Sequence, residues 1–228
     1  MEKLTEGWRL VVYNLESETY AYLTEDWDNS LPPSISWSHD LSTLYVTAHD
    51  HGRLKLFEVS VRDPPEIPKP VVTEYAVHAV AQIGKNLLLS QSSFTQPYVL
   101  TVYNSEQNLS YPLWSAWKES PLSRKSIREF AFKTLDHQLI HGFLHLPERF
   151  DETKKYPLAF LIHGGPAASW TDWWLVRWNS GVFANAGTGW AVAMINPTGS
   201  SGFGQNFQDA IIGHWSKPCT TSTFCLTN

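Results

Sequence analysis

Along the first hundred residues, apolar positions come in short bursts broken by turn-forming residues. The segments Arg9-Leu-Val-Val-Tyr-Asn-Leu15, Arg53-Leu-Lys-Leu-Phe-Glu-Val59 and Tyr98-Val-Leu-Thr-Val-Tyr-Asn104 share one pattern and begin 44 and 45 residues apart. Leu44-Tyr-Val-Thr47 and Leu87-Leu-Leu-Ser90 repeat at an offset of 43. Turn signals at Ser38-His-Asp40, His51-Gly52 and Ile83-Gly-Lys-Asn86 divide each repeat into strand, turn, strand, turn, strand. A period of about 40–45 residues made of short strands is that of a β-propeller blade. An ordinary β-meander with evenly spaced hairpins is the alternative. Only about two and a half such units fit, and roughly four to eight close a ring. The expectation is therefore a partial β-propeller over residues 1–118, with Met1 opening partway through it.

The proline-rich stretch Asp63-Pro-Pro-Glu-Ile-Pro-Lys-Pro70 reads as a loop between blades. Residues near 115–126 lose periodicity, and 119–123 are expected to be a linker. Beyond them the period changes. Ile127–Phe132 and Gln138–Leu146 read as strands about a turn at Thr134-Leu-Asp136. Tyr156–Ile162 is a continuous apolar run, which suits a central strand covered on both faces. Trp170–Ala186 has helical spacing with a stop at Gly187, Gly189–Ile195 reads as a second buried strand, and Phe203–Ile212 as a second helix. Strand, helix, strand, helix is the start of an α/β sheet, expected over residues 124–215. Residues 216–228 are polar and aperiodic and read as an aberrant tail.

Composition narrows the function. Of 228 residues, 43% are hydrophobic and 14% aromatic, with eleven Trp, a weight of flat side chains that needs a large core or interface. Seventeen Lys and Arg against 22 Asp and Glu give a formal charge of -5, which argues against nucleic acid as a partner. The apolar runs are far shorter than the ~20 residues that span a bilayer, so no membrane partner is expected, and MEKLTEGWRLVVYNL has no signal-peptide pattern. The two cysteines, Cys219 and Cys225, exclude a disulfide framework and a four-ligand zinc site.

The sharpest motif is His163-Gly-Gly-Pro166, directly after a buried strand. Gly164 and Gly165 let the backbone turn tightly and leave N–H groups uncovered, able to meet the oxyanion of a tetrahedral intermediate. In α/β-hydrolases the loop after the third strand supplies such a donor. A plain glycine turn is the alternative. The loop Asn196-Pro-Thr-Gly-Ser-Ser-Gly-Phe-Gly204 invites a phosphate-loop reading, but no Lys follows and the G-x-G-x-x-G order is absent. His137, His141 and His145 recur every four residues, yet on a strand they spread over ~13 Å, too far to share a metal ion. His214 with Cys219 and Cys225 is thinner still. No metal and no cofactor are expected.

These residues resemble the prolyl oligopeptidase family of serine peptidases. The resemblance rests on Phe143-Leu-His-Leu-Pro147, Tyr156–Pro166 and Asn196–Phe207, which look like the start of that family's catalytic domain. Residues 20–57, with Glu25-Asp-Trp-Asp28, Ile35-Ser-Trp-Ser38 and Thr43–Arg53, resemble the propeller of its fungal dipeptidyl-peptidase V branch. The resemblance implies an α/β-hydrolase domain over 124–215 and a propeller that caps the site and admits short peptides. It implies release of dipeptides from peptide N-termini, with acylaminoacyl-peptidase or esterase chemistry as alternatives. His163 would stand at the oxyanion site, where other branches carry a Tyr, and the Asn196–Gly204 loop would support the cleft floor. Secretion is implied too, and the sequon Asn108-Leu-Ser110 is compatible with glycosylation at Asn108. No G-x-S-x-G elbow occurs in the chain, so no catalytic Ser, Asp or His is assigned. The chain is expected to be truncated at both ends, inactive and unstable by itself. A non-catalytic propeller module that binds a partner protein is the reading from a different class.

Overall fold

The computed structural model describes residues 8–29, 34–64, 67–120, 122–134, 137–165, 167–187 and 189–216. The first half is all β. Strands β1 (Val11–Asn14) and β2 (Thr19–Tyr22) form an antiparallel pair. They are followed by β3 (Ile35–Trp37), β4 (Thr43–Asp50), β5 (Arg53–Ser60) and β6 (Lys69–Val72), a four-stranded antiparallel meander. A second meander of the same order holds β7 (Ala76–Ile83), β8 (Asn86–Ser92), β9 (Val99–Asn104) and β10 (Leu109–Ser115). Sequential four-stranded antiparallel sheets of this kind are consistent with propeller blades. The sequence period falls on equivalent strands: Arg53–Val59 and Tyr98–Asn104 are the third strands of their sheets, and Leu44–Thr47 and Leu87–Ser90 lie in the second strands.

The sheets stack face to face, so β4 is buried on both sides. Leu44, Val46 and Ala48 pack with Leu10, Leu23, Trp27 and Phe57 in one core, and Tyr45 packs with Leu56, Val77, Leu87 and Leu89 in the next. A strand sandwiched this way reads as a continuous apolar run rather than an alternation. On β5, Leu56 and Phe57 are both buried because they face the two different cores, while the extra residue of the β5–β6 register shift, Val71, is on β6. The fourth strands tolerate proline because they are edges. Pro70 pairs opposite Phe57 in β6, and Pro112 sits at a bulge in β10. The stretch expected to be wholly a loop thus ends in a strand.

The second half builds a mixed sheet, in the order β11 (Ile127–Lys133), β12 (Leu139–His145), β14 (Ala191–Asn196), β13 (Leu158–Leu161). Only β13 and β14 run parallel. Here the structure departs from three expectations. The buried central strand is β14, whereas β13 is an outer strand with half-exposed residues. The expected helix over Trp170–Ala186 shrinks to α1 (Ser180–Ala184), capped by the Asn179 side chain on the N–H groups of Gly181 and Val182. The expected helix over Phe203–Ile212 shrinks to α2 (Gln205–Asp209). The described residues therefore show no pair of long helices flanking the sheet. The reason for the first loss is visible in the backbone. Asp172 N–H donates to the Gly52 carbonyl at 2.9 Å, and Trp174 N–H donates to Ser92 Oγ at 2.9 Å. Donors engaged across the molecule cannot close an i→i−4 ladder. The expected aberrant tail lies, apart from Ser216, outside the described residues.

The two halves meet at the β4–β5 turn. Gly52 takes a φ of +71°, and a Cβ there would stand 2.7 Å from His141 Cε1 and 2.9 Å from the Phe143 ring. His51 N–H donates to the Gly202 carbonyl at 2.9 Å. Beneath the turn, the buried Asp172 carboxylate faces Arg53 at 3.2 Å and Arg124 at 3.0 Å and accepts from Phe94 N–H at 2.8 Å. Asp172→Ala should cost about 3 kcal/mol, since it removes the buried partner that Arg53 and Arg124 share and leaves the Phe94 N–H without an acceptor. A urea melt reads this, and a loss under about 1 kcal/mol contradicts the role.

His145 is fully buried in β12, with Nε2 3.1 Å from Ser126 Oγ and Nδ1 2.9 Å from Ser180 Oγ. Burial lowers its pKa from 6.5 to about 4. Between those values the unfolded chain binds a proton that the folded one refuses, so stability falls as pH falls through this window and is untouched above it. The slope from this one group is at most about 1.4 kcal/mol per pH unit. Urea melts at pH 7.5, 6 and 5 should show a shallower loss for His145→Asn, and equal slopes would refute the assignment.

Candidate functional site

The parallel pair β13 and β14 ends on one side of the sheet, and both loops of interest leave from there. Crevices beyond the carboxyl ends of parallel strands are where open α/β sheets place their ligands. After Leu161 the chain runs through the exposed Ile162 to His163, Gly164 and Gly165, while Pro166 lies outside the described residues. Neither glycine adopts the left-handed backbone, and a Cβ on Gly164 would meet nothing within 4 Å. What they contribute is open access rather than a tight reversal. Their N–H groups make no hydrogen bond among the described residues.

From the other strand, Asn196 clamps the backbone of Trp170. Its Oδ1 accepts from Trp170 N–H at 2.6 Å, and its Nδ2 donates to Trp170 O at 3.0 Å. The Trp170 indole N–H in turn donates to Leu161 O at 3.0 Å. The glycines of this loop serve close approach. Gly202, at φ +83°, lies against His49, where a Cβ would stand 2.9 Å from the His49 Cβ, and Gly199, at φ +100°, lies against Ile211. The loop is thus a seat for the β4–β5 hairpin as much as a floor for a cleft.

The two loops touch through His163. Its Nδ1 lies 2.7 Å from the Gly164 carbonyl and its Nε2 3.1 Å from Ser200 Oγ. Burial lowers the His163 pKa, opposed by its hydrogen bond to Gly164. The ring is therefore neutral near pH 7, and a carbonyl can only accept, so Nδ1 carries the proton. Nε2 is then an acceptor, and Ser200 must choose between donating to it and donating to the Pro197 carbonyl at 2.6 Å. Ser200 is only 1% exposed, so the pair resembles a Ser–His dyad in its contacts and not in its access. A cleft of about 500 Å³ opens beside His163, walled by Leu161, Trp170, Trp173, Leu175 and Trp178.

The other histidines are placed apart. His137 sits in the turn before β12 at φ +62°, His141 packs against Phe143 and Phe203, and His145 lies between its two serines. No three His, Cys, Asp or Glu among the described residues gather as metal ligands. His214 is exposed, and Cys219 and Cys225 lie outside the described residues. Asn108 is exposed in the β9–β10 turn, its side-chain oxygen accepting from Tyr103 OH at 3.0 Å. Sequence reading missed Asp172 and the pair His49 and His78, because their partners come from strands far away in the chain. The aromatic density of 170–178 was the available signal, and it was read as a helix face.

No protein-family model matches the chain. It is 38% identical over 216 residues to the dipeptidyl-peptidase 5 of Schizosaccharomyces pombe, a stretch that is 92% of this chain and 30% of that protein. It is 36% identical to a probable dipeptidyl-peptidase 5 of Aspergillus niger, covering 91% of this chain and 29% of the relative. Among solved structures, an acylaminoacyl peptidase of Pyrococcus horikoshii matches with a TM-score of 0.70 at 17% identity, over 90% of this chain and 31% of that one. A puromycin-hydrolyzing peptidase of Mycobacterium tuberculosis matches with a TM-score of 0.67 at 16% identity, over 96% and 35%. The chain spans about 30% of the length of these relatives. Over that span it is homologous to the fungal dipeptidyl-peptidases 5, and it has the fold of the corresponding part of an acylaminoacyl peptidase.

Proposed function

We propose that the chain is part of a serine-type peptidase of the dipeptidyl-peptidase 5 lineage. In this reading residues 1–118 are propeller blades, 119–123 a linker, and 124–215 the first strands of an α/β-hydrolase catalytic domain. The observation that carries it is the convergence of the His163 turn and the Asn196–Gly204 loop beyond the ends of β13 and β14, with the Gly164 and Gly165 N–H groups open. Donors fixed there, before any charge develops, suit the oxygen of a tetrahedral acyl intermediate. His163 holds the turn through Ser200 and Gly164 as a positioning group. The substrates are short peptides that lose an N-terminal dipeptide. Release of acylated residues is the second reading, favoured by the fold shared with an acylaminoacyl peptidase. Secretion, with a glycan on Asn108, goes with the lineage.

The 228 residues contain no G-x-S-x-G elbow, so the nucleophile, its base and the orienting acid belong to a part of the protein other than this stretch. Two outcomes follow. A fluorophosphonate should label no serine of residues 1–228, Ser200 included, and covalent labelling of any of them would contradict this assignment. In a full-length protein containing this stretch, Gly165→Pro deletes one N–H of the turn. It should lower kcat on a dipeptidyl amide by about 10²–10³-fold. An unchanged kcat would remove the turn from the oxyanion site.

A further inference from the structure

Two histidines of the antiparallel sheets contact one tryptophan of the loop that walls the cleft. His49 comes from the end of β4 and His78 from β7. The Trp173 ring stands edge-on to His49 at 5.6 Å and stacks on His78 at 5.8 Å with an interplanar angle of 28°. The same residue lines the cleft beside His163. Trp173 Nε1 is buried without a hydrogen-bond partner among the described residues, so the indole is held by packing.

The imidazoles themselves contact hydroxyls and rings. His49 Nδ1 lies 3.3 Å from Thr171 Oγ1, in the same loop as Trp173, and His78 Nε2 lies 2.6 Å from Ser92 Oγ. Ser92 Oγ also accepts from the N–H of Trp174, and the Tyr98 ring packs on His78 at 5.2 Å. The nearby carboxylates are engaged elsewhere: Asp50 with His51 and Lys55, and Asp172 with Arg53 and Arg124. His141 and Arg53 lie on the other side of the β4–β5 turn, toward Phe143. One imidazolium on an indole gains a cation–π contact, but two on the same ring repel, and neither has an anion to face.

We propose that His49, His78 and Trp173 form an acid-released latch that fastens the 167–179 loop, and with it one wall of the cleft, to the antiparallel sheets. With both imidazoles neutral, Trp173 is clamped. When both take protons the clamp opens, and the loop parts from the β4–β5 turn. Burial, with the charge of His78 second, lowers the His49 pKa from 6.5 to about 4, and burial lowers that of His78 as well. The latch is therefore whole above pH 6.5 and is lost as pH falls toward about 4. The inference rests on this packing and not on the peptidase reading.

The test is amide hydrogen exchange on a full-length protein containing this stretch, at pH 7.5 and 4.5, corrected for the intrinsic rate. Peptides covering 47–54 and 168–175 should exchange at least ten-fold faster at pH 4.5, while Val80–Leu89 changes less than two-fold. The double variant His49→Asn with His78→Gln keeps polar atoms near Nδ1 and Nε2 but cannot titrate, and its corrected exchange in the two peptides should be the same at pH 4.5 as at pH 7.5. His145→Asn should leave the local opening as in the unaltered chain. Equal corrected exchange at both pH values overturns the latch, as does a double variant that opens like the unaltered chain. Should the double variant fail to fold, exchange of the imidazole C2 hydrogens in the unaltered chain decides. Midpoints for both His49 and His78 below the ordinary imidazole value support the latch, and a midpoint for either at or above that value overturns it.

Discussion

A carboxylate withdrawn from water must find its counter-charges in the fold, and Asp172 finds two guanidiniums and a backbone N–H from three separate places. Arg53 comes from β5, Phe94 from the β8–β9 connection, and Arg124 from the short 3₁₀ turn that opens the mixed sheet. The Asp172 N–H closes the arrangement on Gly52. Because an uncompensated charge in such a place is costly, the carboxylate is buried only where these partners are in position to receive it. The loop so anchored carries Trp170 and Trp173, which wall the cleft that His163 faces. The geometry of the candidate site thus depends on the antiparallel sheets, although none of its own strands belongs to them.

This dependence explains what was legible in the sequence. The 43–45-residue period of the antiparallel sheets was readable because each strand's character is set by near neighbours: β4 and β5 pair across a two-residue turn, and their apolar residues face cores on known sides. The burial of β14 was readable from its unbroken apolar run, although its partner strands lie 30 residues or more away in the chain. Where the deciding partner is remote, local pattern misled. Residues 170–179 have helical spacing of aromatics, but Asp172 and Trp174 donate to Gly52 and Ser92. The apolar run at 156–162 looked central, yet β14 takes the central place and leaves β13 outside it. Proline in β6 is silent about strand formation because an edge has no second partner to lose.

The glycines make the same point at the site. Gly164 and Gly165 look like the conformationally demanding pair, and they adopt ordinary backbone in open space. The demanding glycines are Gly52 and Gly202, at positive φ and in close contact across the junction of the two halves. Homology to the dipeptidyl-peptidases 5 covers both kinds of position, so a glycine in this stretch can reflect docking as readily as chemistry.

The contacts around Asp172 also bear on the order in which the chain acquires structure. Asp172 is 119 residues from Arg53, 78 from Phe94 and 48 from Arg124. Contacts of such separation are slow to close, whereas the hairpins of the first half need only near neighbours. During synthesis the N-terminal sheets have all their own residues before residue 172 is made, and N-terminal units generally fold first. The β4–β5 turn then stands ready as a template, and the loop that walls the cleft condenses onto a surface already in place.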